Sequence, residues 1–150
     1  MANGKINTKI KDMNIECTDL KRKKLYDFLD KRLVLYFYPK DMTPGCTTQS
    51  CNLRDNYKAL MERGYVVLGC SADSPSRHIK FIEKYDLPFP LISDESKDVL
   101  NAYGVWGPKK FMGKEYDGIH RTTFVIDEKG VITDVITKVN TKDHTNQILS

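Results

Sequence analysis

Two short runs of apolar residues, at positions 33–38 and 65–70, are not interrupted by polar side chains. Continuous runs of this length, rich in Val, Leu and Tyr, are typical of strands buried on both faces of a parallel sheet. Between the two runs, apolar side chains recur at helical spacing and are followed by Gly64, a typical helix stop: Leu53, Tyr57, Leu60 and Met61. The pattern therefore predicts a strand–helix–strand unit with a right-handed crossover.

The second half of the chain continues this alternation of strands and helices. Ser74 and Pro75 are a typical helix start, and Ile79, Ile82 and Tyr85 then mark an apolar helix face that ends at residues 87–90. The same signals predict a strand at 91–93, a short helix at 98–103, strands at 122–126 and 131–139 joined by a turn at 127–130, and a helix at 142–149. The order β-α-β-α-β-β-α, with mixed strand directions, predicts an α/β sandwich in one domain, residues 1–150. The first 30 residues carry the weakest pattern, and we expect a β-hairpin there.

Composition narrows the classes of function. The 24 basic and 20 acidic residues leave a net charge of +4, and the one basic run, at 21–24, is typical of a solvated surface, so we expect no nucleic-acid partner. The chain has no apolar run of the roughly 18 residues that span a bilayer, and residues 1–14 lack the apolar core of a secretory signal. The four cysteines are not spaced like a secreted disulfide framework. We expect no membrane partner and a reducing, cytoplasmic location.

Cys46 follows the first predicted strand and opens the first predicted helix. A thiol at a helix start lies against unpaired N–H groups and the positive end of the helix dipole, which favours its thiolate form. An ordinary cysteine, with a pKa of about 8.5, is mostly protonated at neutral pH, and a helix end supplies only part of the stabilisation that the anion needs. A cation must supply the rest, and Arg121, directly before the strand at 122–126, is the candidate.

The loop before Cys46 suits a small oxygen-containing substrate. Pro39, Thr43 and Pro44 restrict its conformations, and Gly45 permits close approach of a ligand to the backbone. The Thr43 hydroxyl can donate to and accept from a peroxide oxygen, although a helix cap is a competing role. N–H groups, hydroxyl and guanidinium together would stabilise charge on the leaving oxygen of a split O–O bond. Attack by the thiolate would leave a sulfenic acid on Cys46.

Cys51, five residues on, is the expected partner of that sulfenic acid. In an intact α-helix, positions i and i+5 have Cα atoms roughly 8.5 Å apart. A disulfide needs about 4.4 to 6.8 Å, so the first turns of the helix must unwind before the bond forms. Four residues of this segment are mediocre helix formers: Thr47, Thr48, Ser50 and Asn52. We therefore expect two conformations, a helical reduced state and a locally unfolded disulfide state.

With these residues in view, the pattern Pro39-x-x-x-Thr43-x-x-Cys46 resembles the peroxiredoxins, and Cys51 makes it similar to the subgroup of bacterioferritin comigratory protein, or peroxiredoxin Q. Residues 103–107 and 121–127 and His144 extend the resemblance. It implies a thioredoxin-like fold, a central mixed β-sheet flanked by helices in a three-layer α/β/α sandwich. It also implies Cys46 as the peroxidatic cysteine and Cys51 as the resolving cysteine, with Pro39, Thr43 and Arg121 as the remaining active-site residues. The implied substrate is a peroxide, the implied reductant is thioredoxin or a similar dithiol, and the implied oligomeric state is a monomer.

The chain departs from that family pattern in two places. Gln49 stands where many members have Glu, so the expected ion pair with Arg121 is lost. The N-terminal segment has Met-Asn-Ile-Glu-Cys at 13–17 in place of an Ala-Pro-Phe motif, which leaves the layout of the first strands undefined. Neither departure removes a residue of the proposed chemistry.

Other functions compete with a peroxidase. A thiol-disulfide oxidoreductase would have Cys-x-x-Cys, and the four residues between Cys46 and Cys51 argue against it. A redox sensor that binds a partner when its disulfide forms remains an alternative. We expect structural roles for Cys17 and Cys70, since Cys70 ends an apolar strand as a small buried hydrophobe would. We expect no cofactor, because Trp106 and the Tyr residues are interpreted as core or pocket wall. We expect no metal, because two cysteines alone cannot complete a tetrahedral zinc site and the three histidines are scattered along the sequence: His78, His120 and His144.

Overall fold

The computed structural model describes residues 6–150. A 3₁₀ helix at Leu25–Phe28 precedes the main elements. In chain order these are β1 (Arg32–Phe37), α1 (Pro44–Asp55), α2 (Tyr57–Glu62), β2 (Tyr65–Ser71), α3 (Pro75–Tyr85), β3 (Leu91–Ser93), α4 (Asp98–Ala102), β4 (Trp106–Phe111), β5 (Lys114–Ile119), β6 (Thr122–Ile126), β7 (Ile132–Ile136) and α5 (His144–Leu149). None of the helices in residues 6–150 is long and apolar enough to cross a membrane.

The central sheet has five strands in the order β3-β2-β1-β6-β7. Strand β1 lies parallel to β2, with Val34 opposite Val67, and antiparallel to β6, with Leu35 opposite Phe124. The strand directions are therefore mixed, as the sequence predicts. Because β1 is covered by strands on both edges and by side chains on both faces, all its residues after Arg32 are buried.

The two faces of the sheet carry separate hydrophobic clusters. Leu33, Leu35 and Phe37 point to one face, where they join side chains of α4 and of the 3₁₀ helix. The alternating residues of the same stretch, Val34 and Tyr36, point to the other face and join side chains of α1, α2, α3 and α5. Helices thus cover both faces, and the predicted three-layer α/β sandwich with a thioredoxin-like fold is confirmed.

Three predicted elements differ from the structure. The helix expected to run without a break to Gly64 is interrupted at Asn56, whose side-chain amide donates to the carbonyl of Asn52 at 2.8 Å and competes with the helical pattern. The apolar face predicted for α3 includes Ile79, which is 47% exposed, whereas the helix buries His78 and Phe81. The strand predicted at 131–139 is shorter, because β7 ends at Ile136.

The hairpin β4–β5 is missing from the sequence prediction, because its strands contain Gly, Pro and many charged residues and are exposed along much of their length. Of the β-hairpin predicted for the first 30 residues, the described part shows one antiparallel bridge, Asn14 opposite Lys24, and no paired strands. Its positions 1–5 lie outside the described residues. Positions 6–31 make isolated bridges instead of paired strands, among them Cys17 against Ile92 of β3.

Candidate active site

Cys46 lies in the first turn of α1, on the loop that leaves the end of β1. Thr43 is the residue before the helix, Pro44 begins it, and the carbonyl of Thr43 accepts the N–H of Thr47 at 2.9 Å. Pro is well suited to this position because the first helical N–H groups have no partner within the helix. The side chain of Cys46 is fully buried and belongs to the cluster formed by α1, α2, α3 and α5. The thiol is therefore held at the positive end of the helix and away from bulk solvent.

Arg121 contacts the sulfur of Cys46. Its Nη2 donates to Cys46 Sγ at 3.3 Å, and its Nη1 donates to Gln49 Oε1 at 2.6 Å. The approach is close enough that a Cβ on Gly45 would lie 3.3 Å from Nη2. Since Gln49 is neutral, it orients the guanidinium without cancelling its charge. Arg121, the cation that the sequence predicts for the thiolate, thus lies within hydrogen-bond distance of the sulfur. The antiparallel pairing of β6 with β1 positions it there.

Pro39 and Thr43 belong to the loop that leads from β1 to Cys46 in α1. Both are half-buried, as is Gly45. The Thr43 hydroxyl donates to the carbonyl of Lys40 at 2.7 Å, and although Thr43 occupies the N-cap position, its side chain makes no cap bond. Because its proton is committed to Lys40, the hydroxyl oxygen is left to accept a hydrogen bond from a substrate O–H.

A buried hydrogen-bond network around Asp41, which the sequence did not predict, supports the loop between β1 and α1. Tyr38 donates to Asp41 Oδ1 at 2.6 Å, and the backbone N–H of Asp41 donates to Asp73 Oδ2 at 2.8 Å. His78 lies 2.6 Å from Asp41 Oδ2 through Nδ1 and 2.8 Å from the carbonyl of Ile92 through Nε2. A carbonyl only accepts, so Nε2 carries a proton, and one further proton lies between Nδ1 and the carboxyl group of Asp41.

Three members of this network are also the only group in residues 6–150 with metal-ligand atoms close together: Asp41, Asp73 and His78 offer such atoms within 4.8 Å of one another. These atoms already bond to protein partners, including Ser71 and Arg77 on Asp73. The signal available in the sequence was weak: a His on the buried face of α3, three residues before Phe81. The network is a structural support for the loop.

All four cysteines are unpaired, and they lie in two different places. Cys51 is half-buried on α1, and burial raises the pKa of its thiol. Cys17 and Cys70 belong to the cluster on the opposite face of the sheet from Cys46. Burial raises the pKa of Cys17 to about 11 and that of Cys70 well above its ordinary value. Both thiols therefore stay protonated among apolar side chains, which fits the structural roles that the sequence predicts for them.

The β4–β5 hairpin adds a second cation near the site. Lys109 Nζ donates to the carbonyl of Ile119 at 2.8 Å, and its pKa is lowered by burial and by the neighbouring charge of Arg121. A cleft of about 380 Å³ beside Pro39 is lined by Trp106, Lys109 and Ile119 among others. The sequence predicted Trp106 as a core or pocket-wall residue, but Lys109 and Ile119 were missed together with the hairpin.

Comparison with known proteins places this geometry in a family. Residues 6–135 match a family model described as the AhpC/TSA family. The chain is 50% identical over 126 residues to peroxiredoxin Bcp of Escherichia coli, covering 84% of this chain and 81% of the relative. It is 44% identical over 144 residues to peroxiredoxin Bcp of Bacillus subtilis, covering 96% and 92%.

Solved structures agree with these relatives. The chain superposes on a PrxQ variant of Xylella fastidiosa with a TM-score of 0.91 at 29% identity, covering 98% of this chain and 94% of that one. It superposes on the bacterioferritin comigratory protein of Xanthomonas campestris with a TM-score of 0.85 at 32% identity, covering 92% and 87%. With a reactive-type cysteine at a helix start, an arginine on its sulfur and relatives of this similarity, the chain belongs to the AhpC/TSA family, as a peroxiredoxin of the Bcp/PrxQ group.

Proposed function

We propose that this thiol-dependent peroxidase uses Cys46 as the attacking sulfur. The Cys46 thiolate attacks one oxygen of the peroxide, the S–O bond forms as the O–O bond breaks, and the leaving oxygen takes a proton and departs as water or an alcohol. Arg121 stabilises the thiolate and the charge that builds on the oxygens, and Thr43 accepts a hydrogen bond from the substrate. Pro39 keeps the loop in place and shields the sulfur.

The sulfenic acid is then resolved by Cys51. Its sulfur attacks Cys46, the S–S bond forms as the S–O bond breaks, and the hydroxyl leaves as water. A dithiol protein of the thioredoxin type reduces the disulfide by two successive exchanges. Both hydrogen peroxide and organic hydroperoxides are proposed substrates; for the latter, support comes from the cleft beside Pro39 and from the Xanthomonas campestris relative, whose structure is described in terms of alkyl peroxide reduction.

The observation that carries the proposal is the 3.3 Å contact between Arg121 Nη2 and Cys46 Sγ. Stopped-flow peroxide reduction tests it with Arg121→Ala and, as a matched control, Arg63→Ala at an exposed position after α2. We expect Arg121→Ala to lower the second-order rate constant by about a hundredfold, the usual effect of removing one donor to a developing oxyanion, and Arg63→Ala to leave it unchanged. Equal rates in the two variants would reject the assignment.

The two cysteines have separable roles. Cys46→Ser should abolish peroxide consumption. Cys51→Ser should permit one sulfenic acid per chain and then stall or over-oxidise. Equal residual turnover in both variants would contradict the proposed order of events, which mass mapping of the oxidised chain checks directly.

Turnover separates the peroxidase from the alternatives. With thioredoxin, its reductase and excess peroxide, we expect repeated cycles. A single oxidation without cycling would favour a redox sensor, and reduction of insulin without peroxide would favour a thiol-disulfide oxidoreductase. The spacing of Cys46 and Cys51 and the contact with Arg121 favour the peroxidase.

We also propose that residues 1–150 form one domain that works as a monomer in the cytoplasm. One sheet that collects strands from Arg32 to Ile136 supports a single domain. Four unpaired cysteines support a reducing compartment. The monomer rests on the family resemblance, and sedimentation of the reduced protein tests it.

A further inference from the structure

Asn52, the residue after Cys51, connects α1 to the last helix of the chain. Its Oδ1 accepts the backbone N–H of Thr145 at 2.8 Å and the Thr145 hydroxyl at 2.8 Å. Its Nδ2 donates to the carbonyl of Lys142 at 3.0 Å. One side chain therefore makes three hydrogen bonds to the start of α5.

These bonds perform the task of a helix cap. The first N–H groups of any helix lack partners within it, and they are usually satisfied by the side chain of the preceding residue. Asp143, which precedes α5, makes no such bond. Asn52 supplies it from another helix, and Thr145, which it caps, is only 4% exposed. The first turn of α5 thus depends on the position of α1.

The same turn is fixed to the sheet. His144 Nε2 lies 2.8 Å from the hydroxyl of Thr123, and Thr123 is on β6 two residues after Arg121. Asn52 therefore ties the helix of both proposed redox cysteines to a turn that is itself bound to the strand following Arg121. This arrangement resists movement of α1 at Cys51.

Movement at Cys51 is what the resolving step requires. Cys46 is fully buried and bonded to Arg121, whereas Cys51 is half-buried, so Cys51 is the sulfur that is freer to move. Its approach to Cys46 unwinds the helix between them and takes Asn52 along, which breaks the bonds to Lys142 and Thr145.

We propose that Asn52 is a positioning residue of the resolving step, a latch that holds Cys51 in the helical state and slows its attack on the Cys46 sulfenic acid. The inference rests on the proposed function of the two cysteines. Its consequence is a longer-lived sulfenic acid, and therefore a larger share of chains oxidised by a second peroxide to the sulfinic acid. Weakening the latch should speed disulfide formation and protect Cys46.

Rapid mixing with peroxide, followed by acid quench and mass mapping, separates the two steps in time. We expect Asn52→Ala to raise the rate of Cys46–Cys51 bond formation by about tenfold, on the scale of the net contribution of one or two hydrogen bonds, and to lower the sulfinic fraction at high peroxide. The matched control is Asn146→Ala on α5, whose exposed side-chain amide donates to Asp143 and makes no hydrogen bond to α1. It should form the disulfide at the wild-type rate.

Thr145→Val provides a second route to the same measurement, should Asn52→Ala fail to fold. It removes the hydroxyl bond and keeps the N–H bond, so we expect a smaller acceleration, about two- to fivefold. Combined in one chain, the two substitutions should accelerate the step by less than the product of their single effects, because they break a shared contact. A residue that only stabilised the fold would lower the melting temperature without accelerating this step.

The outcomes distinguish the latch from the chemistry beneath it. Normal sulfenic acid formation and a normal disulfide in the wild type, with an unchanged or slower second step in Asn52→Ala and Thr145→Val, would overturn the latch alone. A wild-type chain that forms no bond between Cys46 and Cys51 would overturn both proposals.

Discussion

Gly69 is the position where one added methyl group should disturb the core most. It lies on β2 directly opposite Tyr36 of β1. A Cβ at Gly69 would lie 2.7 Å from Leu91 Cδ2 and 2.8 Å from Tyr36 Cζ, both closer than carbon atoms pack. Leu91 can yield because its contact is the end of a flexible side chain. Tyr36 decides the outcome, because its ring must move for the methyl group to fit.

The ring of Tyr36 is fixed on three sides. It stacks on Tyr38 with centroids 5.3 Å apart and meets Phe89 edge-on at 6.0 Å. Its hydroxyl lies 2.9 Å from the hydroxyl of Ser50 in α1, and both residues are buried. Displacing the ring therefore strains aromatic contacts and pulls on the helix that carries Cys46.

The expected cost follows from two opposing effects. Overpacking a tight core costs about 1 to 3 kcal/mol. Replacing Gly by Ala also restricts the unfolded chain, which returns about 0.4 to 1 kcal/mol. We expect Gly69→Ala to lower the free energy of unfolding by about 1 to 2 kcal/mol, with the lost contact at Tyr36 as the main source.

Urea unfolding measures this difference. The matched control is Gly107→Ala on β4, where an added Cβ meets nothing closer than His120 Nε2 at 3.9 Å. The control should be neutral or slightly stabilising. If Gly69→Ala is as stable as Gly107→Ala, the ring of Tyr36 is not held as described and the reasoning from its contacts is refuted.

Three further predictions concern buried polar groups. Burial lowers the pKa of His144, so below about pH 6.5 the unfolded chain binds a proton that the folded chain does not, and the free energy of unfolding should fall as the pH drops. Urea unfolding at a series of pH values should show a shallower fall for His144→Gln. An equal slope in the variant and the wild type would contradict the assignment. Burial raises the pKa values of Cys17 and Cys70, so a thiol alkylating agent at about pH 8 should leave both unlabelled in the folded protein and label both once it is unfolded. Labelling of either cysteine in a peptide map of the folded protein would show that it is accessible. Asp41→Ala leaves the buried His78 without its partner and should lower the free energy of unfolding by about 3 to 5 kcal/mol. Asp41→Asn can keep hydrogen bonds to its neighbours and should lower it clearly less. Equal losses of the two variants in urea unfolding would mean that the network does not depend on these bonds.

Local patterns in the sequence predicted the parts of the molecule that depend on neighbours along the chain. The strand at 122–126 was placed at its observed bounds, and Cys46, expected to open the first helix, lies in the first turn of α1, two residues after Pro44. Arg121 was assigned to the thiolate because a cation was needed and one stood at a strand end. These features follow from periodicity, caps and elementary electrostatics.

Features that depend on distant contacts could not be predicted. Asn52 and Thr145 are 93 positions apart, and His78 and Asp41 are 37 apart, so no local pattern pairs them. The hairpin β4–β5 was missed for a different reason: its strands expose most of their polar side chains, so they lack the apolar alternation by which strands are recognised. The break at Asn56 arises from a side-chain bond that competes with the helix, and residue spacing does not record it.

The distribution of the cysteine sulfurs over the two faces of the sheet limits which disulfides the chain can form. Thiol–disulfide exchange needs the incoming sulfur in direct contact with the bond that it attacks. Cys17 and Cys70 lie on the far side of a continuous layer of hydrogen-bonded strands from Cys46. While that layer stays intact, an oxidised Cys46 meets neither of them. The sheet therefore separates the sulfurs, so that repeated oxidation of Cys46 does not lead to incorrect disulfides with Cys17 or Cys70.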